Sequence, residues 1–313
     1  MTSPTVSVVT PTFNRAAVLP RLWRSLCRQP VPFEWIVVDD ASTDSTPSVV
    51  QSIGDPRIVV AGLDRNRGQN AARNAGVCLS RGAFIVFVDS DDEFEPGALQ
   101  DAVRAIHNAP AAVGAVLMIA QPTFSTQPVE VLPDAAVLSE QDLLIDRRLT
   151  GDRAVIYRRE VFQNQLLPEE YRACEHVFVL GLSRWWNYLV VNKPLTLIHR
   201  EGPHSCSASQ IVLRSELIAQ AWEEVIRNHA RILRDNAPAR VRLYMTVLYR
   251  YGVAAKWNSV WRIFREIRLC DAGCVTTLKA IAVLLAGLLG SLGAEYWRLT
   301  LGQWPLPCGG TKR

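Results

Sequence analysis

Residues 87–96, "FVDSDDEFEP", carry three aspartates and two glutamates directly behind an apolar run. Carboxylates this close repel one another, and withdrawing them from water is costly, so a positive partner is expected among them. Oxygen-only ligands of this kind suit Mg²⁺ or Mn²⁺, which keep bound waters and accept phosphate oxygens as further ligands. A second acidic pair, Asp39 and Asp40 in "IVVDDASTD", offers acceptors for a nucleobase or a ribose hydroxyl. Arg73 in "NAARNAG" adds a forked donor for phosphate or base. Asp and Asn after strands also close turns and cap helices, and for "DDASTD" both readings stand. Five carboxylates in seven positions exceed what a turn requires.

These residues fall on an alternating framework. "TVSVVTPTF" reads as a strand, and "AAVLPRLWRSLCRQ" as a helix with Val18, Leu22 and Leu26 on one face. "FEWIVVDDAS" is apolar enough for a strand covered on both sides. "STPSVVQSIG" starts a helix with Ser45 or Thr46 as cap and Pro47 in the first turn. "RIVVAGL", "AFIVFVDSDD" and "AVGAVLMIA" supply three further strands. Helices over "NRGQNAARNAGVCLSRG" and "PGALQDAVRAIHN" lie between them, with Gly82 placed to end the first. Short connections between alternating strands and helices predict a doubly wound, mainly parallel α/β sheet with ligands at the carboxyl ends of the strands. Thr12 and Asn14, Asp39 and Asp40, Asn66, and Asp89 to Asp92 all fall just past predicted strand ends.

Composition excludes several classes. With 313 residues, 49% apolar and 20% charged, the chain can bury a sizeable core and is not disordered. A net charge of +4 does not by itself suggest nucleic acid, and no recognition motif accompanies the basic stretches. Seven scattered cysteines lack metal-ligand spacing, and the N-terminus lacks a signal-peptide pattern, so reduced thiols and a cytoplasmic location are expected. There is no Walker loop and no G-x-G-x-x-G after the first strand.

"VSVVTPTFNR", "IVVDDASTD", "NRGQNAARNAG" and "FVDSDDEFEPGAL", in that order, resemble the family 2 glycosyltransferases of the GT-A fold over residues 6–109. The resemblance implies inverting transfer of a sugar from a nucleotide-sugar, most often UDP-linked. It puts Thr10, Pro11, Asp39 and Arg73 around the nucleotide, Asp89 near the ribose or diphosphate, and Asp91 on a divalent metal. That metal would neutralise the leaving diphosphate as a Lewis acid. "RACEHVFVLGL" is similar to the family's second acidic motif and puts the catalytic base at Glu175, with His176 as the competing candidate and Cys174 where an acid usually stands. "VVNKPLTLIHREGPHSCS" resembles the family's returning strand and the loop that closes over the diphosphate, which would set Arg200 on the diphosphate and His204 on metal or phosphate. Two other classes stay beside this reading. A sugar nucleotidyltransferase would need a glycine-rich basic loop that "TPTFNRAAVLP" lacks, and the altered "CEH" keeps open a nucleotide-sugar-binding scaffold without turnover.

"DRAVIYRREVF" reads as a strand and helix start returning to the core. The expected organisation is a GT-A domain over 1–210 and a helical C-terminal region over 211–313. Residues 240–279 hold eight Lys or Arg against two acids, with Tyr and Trp interleaved, and 280–294 is free of charge. Fifteen residues rise about 22 Å as a helix, short of the ~30 Å hydrocarbon core of a bilayer. Three readings stand for 280–294: a buried helix of the appendage, peripheral contact in which 240–294 meets an anionic membrane surface at the inner face of the cell membrane, and, least favoured by its length, a true span. The second suits a carbohydrate or lipid-linked acceptor.

Overall fold

A computed structural model describes residues 4–124, 133–146, 153–171, 174–199 and 214–269. It divides into two compact units, Met1–Leu143 with Gly151–Gly202, and Leu144–Thr150 with Pro203–Arg313.

The first unit is built on a nine-stranded sheet. In chain order the strands are β1 (Val6–Thr12), β2 (Phe33–Asp39), β3 (Ile58–Gly62), β4 (Phe84–Phe87), β5 (Glu93–Phe94), β6 (Val113–Pro122), β7 (Val137–Leu138), β8 (Arg153–Arg158) and β9 (Asn187–Ile198). Spatial order is β3-β2-β1-β4-β8-β6-β9-β5, with β7 on β9. β3, β2, β1 and β4 run parallel, and β9 is parallel to β6. β8 is antiparallel to both its neighbours, β4 and β6. The fold is therefore the α/β, GT-A type arrangement expected, with a mixed far half. Every residue of β1 and β2 is buried, as expected of mainly apolar strands covered on both faces.

Helices α1 (Leu19–Leu26), α2 (Thr46–Ile53), α3 (Gln69–Leu79), α4 (Ala98–Asn108), α5 (Glu140–Leu144) and α6 (Glu175–Leu182) connect these strands. Leu19, Leu22 and Leu26 of α1 pack with Val6, Val8, Trp35, Leu99 and Ile106 into the core under one face of the sheet. α3 covers the other face at Gly76, where an added Cβ would come within 2.3 Å of Val9 Cγ1. That contact sets the height of α3 above β1. The parallel register places Thr12 beside Asp39, and the Val88 N–H bonds to the Val9 carbonyl at 3.1 Å. The carboxyl ends of β1, β2 and β4 thus open at one edge, where such sheets hold ligands.

The described part of the second unit is helical: α7 (Ser215–Asn228), α8 (Ala230–Arg234), α9 (Ala237–Val253) and α10 (Trp257–Leu269). Asn236 caps α9 by accepting the Ala239 N–H, with Pro238 in the first turn. Val225, Leu243, Val247, Leu248, Val260, Ile263 and Ile267 are buried. Among the described residues no helix is long and apolar enough to cross a membrane. The uncharged stretch 280–294 lies outside the described residues. Cys27 and Cys78 are free, exposed thiols.

Candidate active site

Asn70, Arg73 and Asn74 stand three and four residues apart on α3, hence on one face of it. Arg73 is almost wholly buried, with 6% of its side chain exposed, and its fork divides between two carboxylates. Nη2 donates to Asp89 Oδ1 at 2.9 Å and Nη1 to Glu175 Oε1, while the Phe87 ring lies 5.5 Å from the guanidinium carbon. Asp89 follows β4 and Glu175 opens α6, and each keeps about half of its side chain exposed. One shielded cation therefore carries two solvent-facing acids. Arg73 holds the Glu175 carboxyl below its ordinary range against the opposing effect of burial. At neutral pH Glu175 is ionised. Gln69 Nε2 also reaches Glu175, at 3.4 Å, and partly buried His176 adds a further stabilising charge.

The acid cluster after β4 splits in two. Glu93 turns toward Arg21 (3.4 Å), Arg28 (3.5 Å) and His199 Nε2 (3.0 Å). Asp91 lies 3.6 Å from Arg15, and its carbonyl accepts from Arg21. Asp92 accepts the His199 N–H at 3.3 Å, and its carboxyl is pushed up to about 8 by burial and by the charges of Asp89 and Asp91. Asp89, Asp91 and Asp92 thus crowd negative charge where a bound cation would relieve it. Among the described residues no three His, Cys, Asp or Glu side chains form a ready-made metal cage. Asp89, Asp91 and Asp92 offer oxygen donors only, the kind a hard cation takes together with phosphate and water ligands.

The residues at the nucleotide edge divide by what they hold. Asp39 ends β2 and accepts from the backbone N–H and hydroxyl of Ser42. Asp40 anchors the loop into α3, accepting from Arg67 N at 2.7 Å and Gly68 N at 2.8 Å. Asn14, with φ of 54°, staples its loop to the start of α2 by accepting from Thr43 N at 2.8 Å. Thr10 is fully buried, and its hydroxyl accepts from Trp35 Nε1 at 2.9 Å. Pro11 is buried in β1, and the buried hydroxyl of Thr12 beside it has no partner among the described residues. Asn66 is exposed between β3 and α3. Arg200 and His204 lie outside the described residues.

Sequence reasoning passed over the segment that delivers Glu175. Residues 167–171 are bonded to Asn70 and Asn74, and Glu169 pairs with Arg67 at 2.6 Å. It also passed over Tyr157 of β8, which packs with Phe87, Phe162 and Phe178 beneath the site. Burial and the nearby Glu175 charge push the Tyr157 hydroxyl up. The asparagine spacing of "NAARN" was the available signal for the first, and nothing local marked the second.

The profile described as Glycosyl transferase family 2 matches residues 7–166. The chain is 44% identical over 110 residues to the succinoglycan biosynthesis protein ExoO of Rhizobium meliloti (strain 1021), a match spanning 35% of this chain and 31% of that protein. It is 28% identical over 276 residues to the GalNAc(5)-diNAcBac-PP-undecaprenol beta-1,3-glucosyltransferase of Campylobacter jejuni, covering 85% of this chain and 87% of that one. In three dimensions it resembles S. aureus TarS 1-349 in complex with UDP-GlcNAc, with a TM-score of 0.60, 22% identity, and 91% and 92% of the two chains covered. It also resembles the mannosyltransferase PcManGT of Pyrobaculum calidifontis in complex with GDP-Man and Mn²⁺, with a TM-score of 0.57, 18% identity, and 97% and 89% covered. At these identities the structural likeness speaks to the fold alone. With its profile matched over more than half its length and its sheet ending in the paired Asp89–Arg73–Glu175 edge, the chain belongs to glycosyl transferase family 2.

Proposed function

We propose that the protein is an inverting, cation-assisted glycosyltransferase that moves a sugar from a UDP-sugar to a hydroxyl of a polysaccharide or lipid-linked cell-envelope acceptor. The observation that carries this reading is the Arg73 fork, which joins a donor-edge carboxylate, Asp89, to a helix-borne carboxylate, Glu175, in one cleft. The named functions of the relatives and the UDP-GlcNAc complex of TarS support the substrate class.

In this reading Pro11, Thr12 and Asp39 line the nucleotide, while Asp40 and Asn14 hold the loops around it. Asp91, with Asp89, holds the cation, which supplies Lewis-acid neutralisation of the departing diphosphate. Glu175 takes the proton of the acceptor hydroxyl as its oxygen bonds to the anomeric carbon. The bond from that carbon to the diphosphate breaks, and configuration inverts in the single displacement. A base must be ionised before it can act, and Arg73 keeps Glu175 so.

The test pairs two variants. Glu175→Gln is expected to lower turnover by roughly 10²–10⁴-fold while calorimetry shows UDP affinity within a few-fold of wild type. Asp91→Ala is expected to abolish the Mn²⁺-dependent part of UDP-sugar binding. Full turnover in the first variant would return the base to His176, and tight Mn²⁺-dependent binding in the second would remove the cation from Asp91.

We also place the second unit on the inner face of the cell membrane. Trp257 and Trp261 stand one turn apart on α10, 42% and 59% exposed, beside exposed Arg265 and beside Lys256 and Arg262, which pair with Glu216 and Glu223, while Val260, Ile263 and Ile267 bury the opposite face. Exposed indoles suit the headgroup layer of a bilayer, where a lipid-linked acceptor would reside.

A further inference from the structure

The contacts between α3 and the segment leading into Glu175 give the two asparagines of "NAARN" a task of their own. Asn70 and Asn74 are 1% and 7% exposed. Asn70 Nδ2 donates to two backbone carbonyls, Pro168 at 2.8 Å and Tyr171 at 3.1 Å. Asn74 exchanges a pair of bonds with Leu167, Nδ2 to its carbonyl at 2.9 Å and Oδ1 from its N–H at 3.0 Å. These bonds cross more than ninety residues of chain. The orientation of the Asn70 amide follows from them, because a flipped amide would set its oxygen against two carbonyl oxygens. That orientation leaves Asn70 Oδ1 buried without a partner among the described residues. The amide thus leaves its own acceptor unused while holding two carbonyls of the facing chain.

The constraint continues to the base. Glu169 is tied to Arg67 at 2.6 Å and to Asn74 Nδ2 at 3.3 Å. The Cys174 N–H donates to the Tyr171 carbonyl at 3.1 Å, directly before Glu175. At the other end, Asp40 holds the loop into α3 and Gly76 seats the helix on Val9. Donor edge and base thereby share one rigid support. Catalytic constellations need placement within about 0.5 Å, and an error near 1 Å can lower turnover on the order of 10²-fold.

We propose that Asn70 and Asn74 are positioning residues for Glu175, fixing residues 167–171 on α3 so that the Glu175 carboxylate stands opposite Asp89 across Arg73. The proposal rests on Glu175 being the base. Neither asparagine touches the reacting atoms.

The test combines a double-mutant cycle with amide exchange on the full chain. Asn70→Ala is the milder variant, since water can take the two released carbonyls; Asn74→Ala is the stronger one. Turnover is followed with whichever UDP-sugar the wild type processes fastest. In either variant kcat is expected to fall roughly 10–100-fold, with UDP affinity and donor KM within about threefold. In a Glu175→Gln background the same substitutions should change residual turnover less than about twofold, because they act through the group already removed. Amide exchange should quicken in 167–171 and α6 while β1, β2 and α3 stay protected, a readout that needs no donor and that a general loss of stability would not confine. Wild-type kcat in both asparagine variants, an undiminished loss in the Glu175→Gln background, or unchanged exchange in α6 would each overturn the proposal. Full turnover in Glu175→Gln alone would be the distinct failure of the base assignment, and the proposal would fall with it.

Discussion

At the scale of single residues, the acid cluster after β4 is answered in part from within the protein. Arg15 stands by Asp91, Arg21 and Arg28 by Glu93, and Arg73 by Asp89. The fold therefore does not depend on a metal for its charge balance in the way a metal-stapled domain does. Chelation is accordingly expected to leave the thermal midpoint within about 2 °C, read by calorimetry with and without a chelator, while any cation-dependent donor binding is lost. A fall of ten degrees would show that the cation is structural. The acid cluster itself was legible in the sequence, because five carboxylates in seven positions form a local pattern. The pairing of Glu93 was not. Its partners come from α1 and from His199, 106 residues away, and no local pattern records a pairing of that kind. Asp40 and Asn14 carried the right residue types for ligand contact, yet the structure uses them to hold backbone, the reading that turn chemistry always leaves open.

At the scale of elements, one buried carboxylate ties three of them together. Glu34 of β2 accepts from Ser7 Oγ on β1 at 2.6 Å and from Arg81 N and Nε ahead of β4 at 2.7 and 2.8 Å. Burial acts to raise its carboxyl, but the bonds from Ser7 and Arg81 and the Arg81 charge hold it below the ordinary value. Its stabilisation is therefore full above the unfolded glutamate pKa, roughly 4.3, and is lost as pH falls through the lower folded value. Glu34→Ala is expected to cost about 2 kcal/mol at pH 7, measured by urea denaturation, and the gap from wild type should narrow on acidification below pH 4. A gap independent of pH would assign the effect to packing instead. The alternating elements were readable because their apolar periods are strong and their connections short. Gly82 was misread for a physical reason. α3 already ends at Leu79, and Gly82 is small because its backbone runs against β1, where an added Cβ would lie 2.6 Å from Ser7 N. A glycine after a helix carries the same letter in both cases. The helical run through residue 269 also breaks where the composition gives little warning, at Ala255, with φ of 54° between α9 and α10.

At the scale of the whole molecule, the exposed Trp257 and Trp261 make a claim that sugar chemistry does not test. The full chain is expected to co-sediment with phosphatidylcholine vesicles containing phosphatidylglycerol and to bind pure phosphatidylcholine weakly. Replacing both tryptophans with alanine should lower binding to the anionic vesicles about tenfold, each tenfold being 1.4 kcal/mol. Equal binding by the double variant would detach the second unit from the membrane, and concentration-dependent self-association in its place would make that face a contact between copies. The parallel half of the sheet was legible from strand–helix alternation, and the return of β8 was legible as a strand. Its seat between β4 and β6 was not, because no local feature of residues 153–158 names its neighbours. That seat has a consequence in time. β4 ends at Phe87 and β6 at Pro122, so the ribosome delivers both before the strand that separates them. Until residue 158 emerges, the partial sheet β3-β2-β1-β4 waits with β4 as an open edge and β6 has no strand to pair with, since its other neighbour, β9, follows later still; an open edge is the kind of surface that associates wrongly. The half that would hold the nucleotide is thus complete in sequence well before the half that brings Glu175, and a chain halted between them would carry the donor edge without its base.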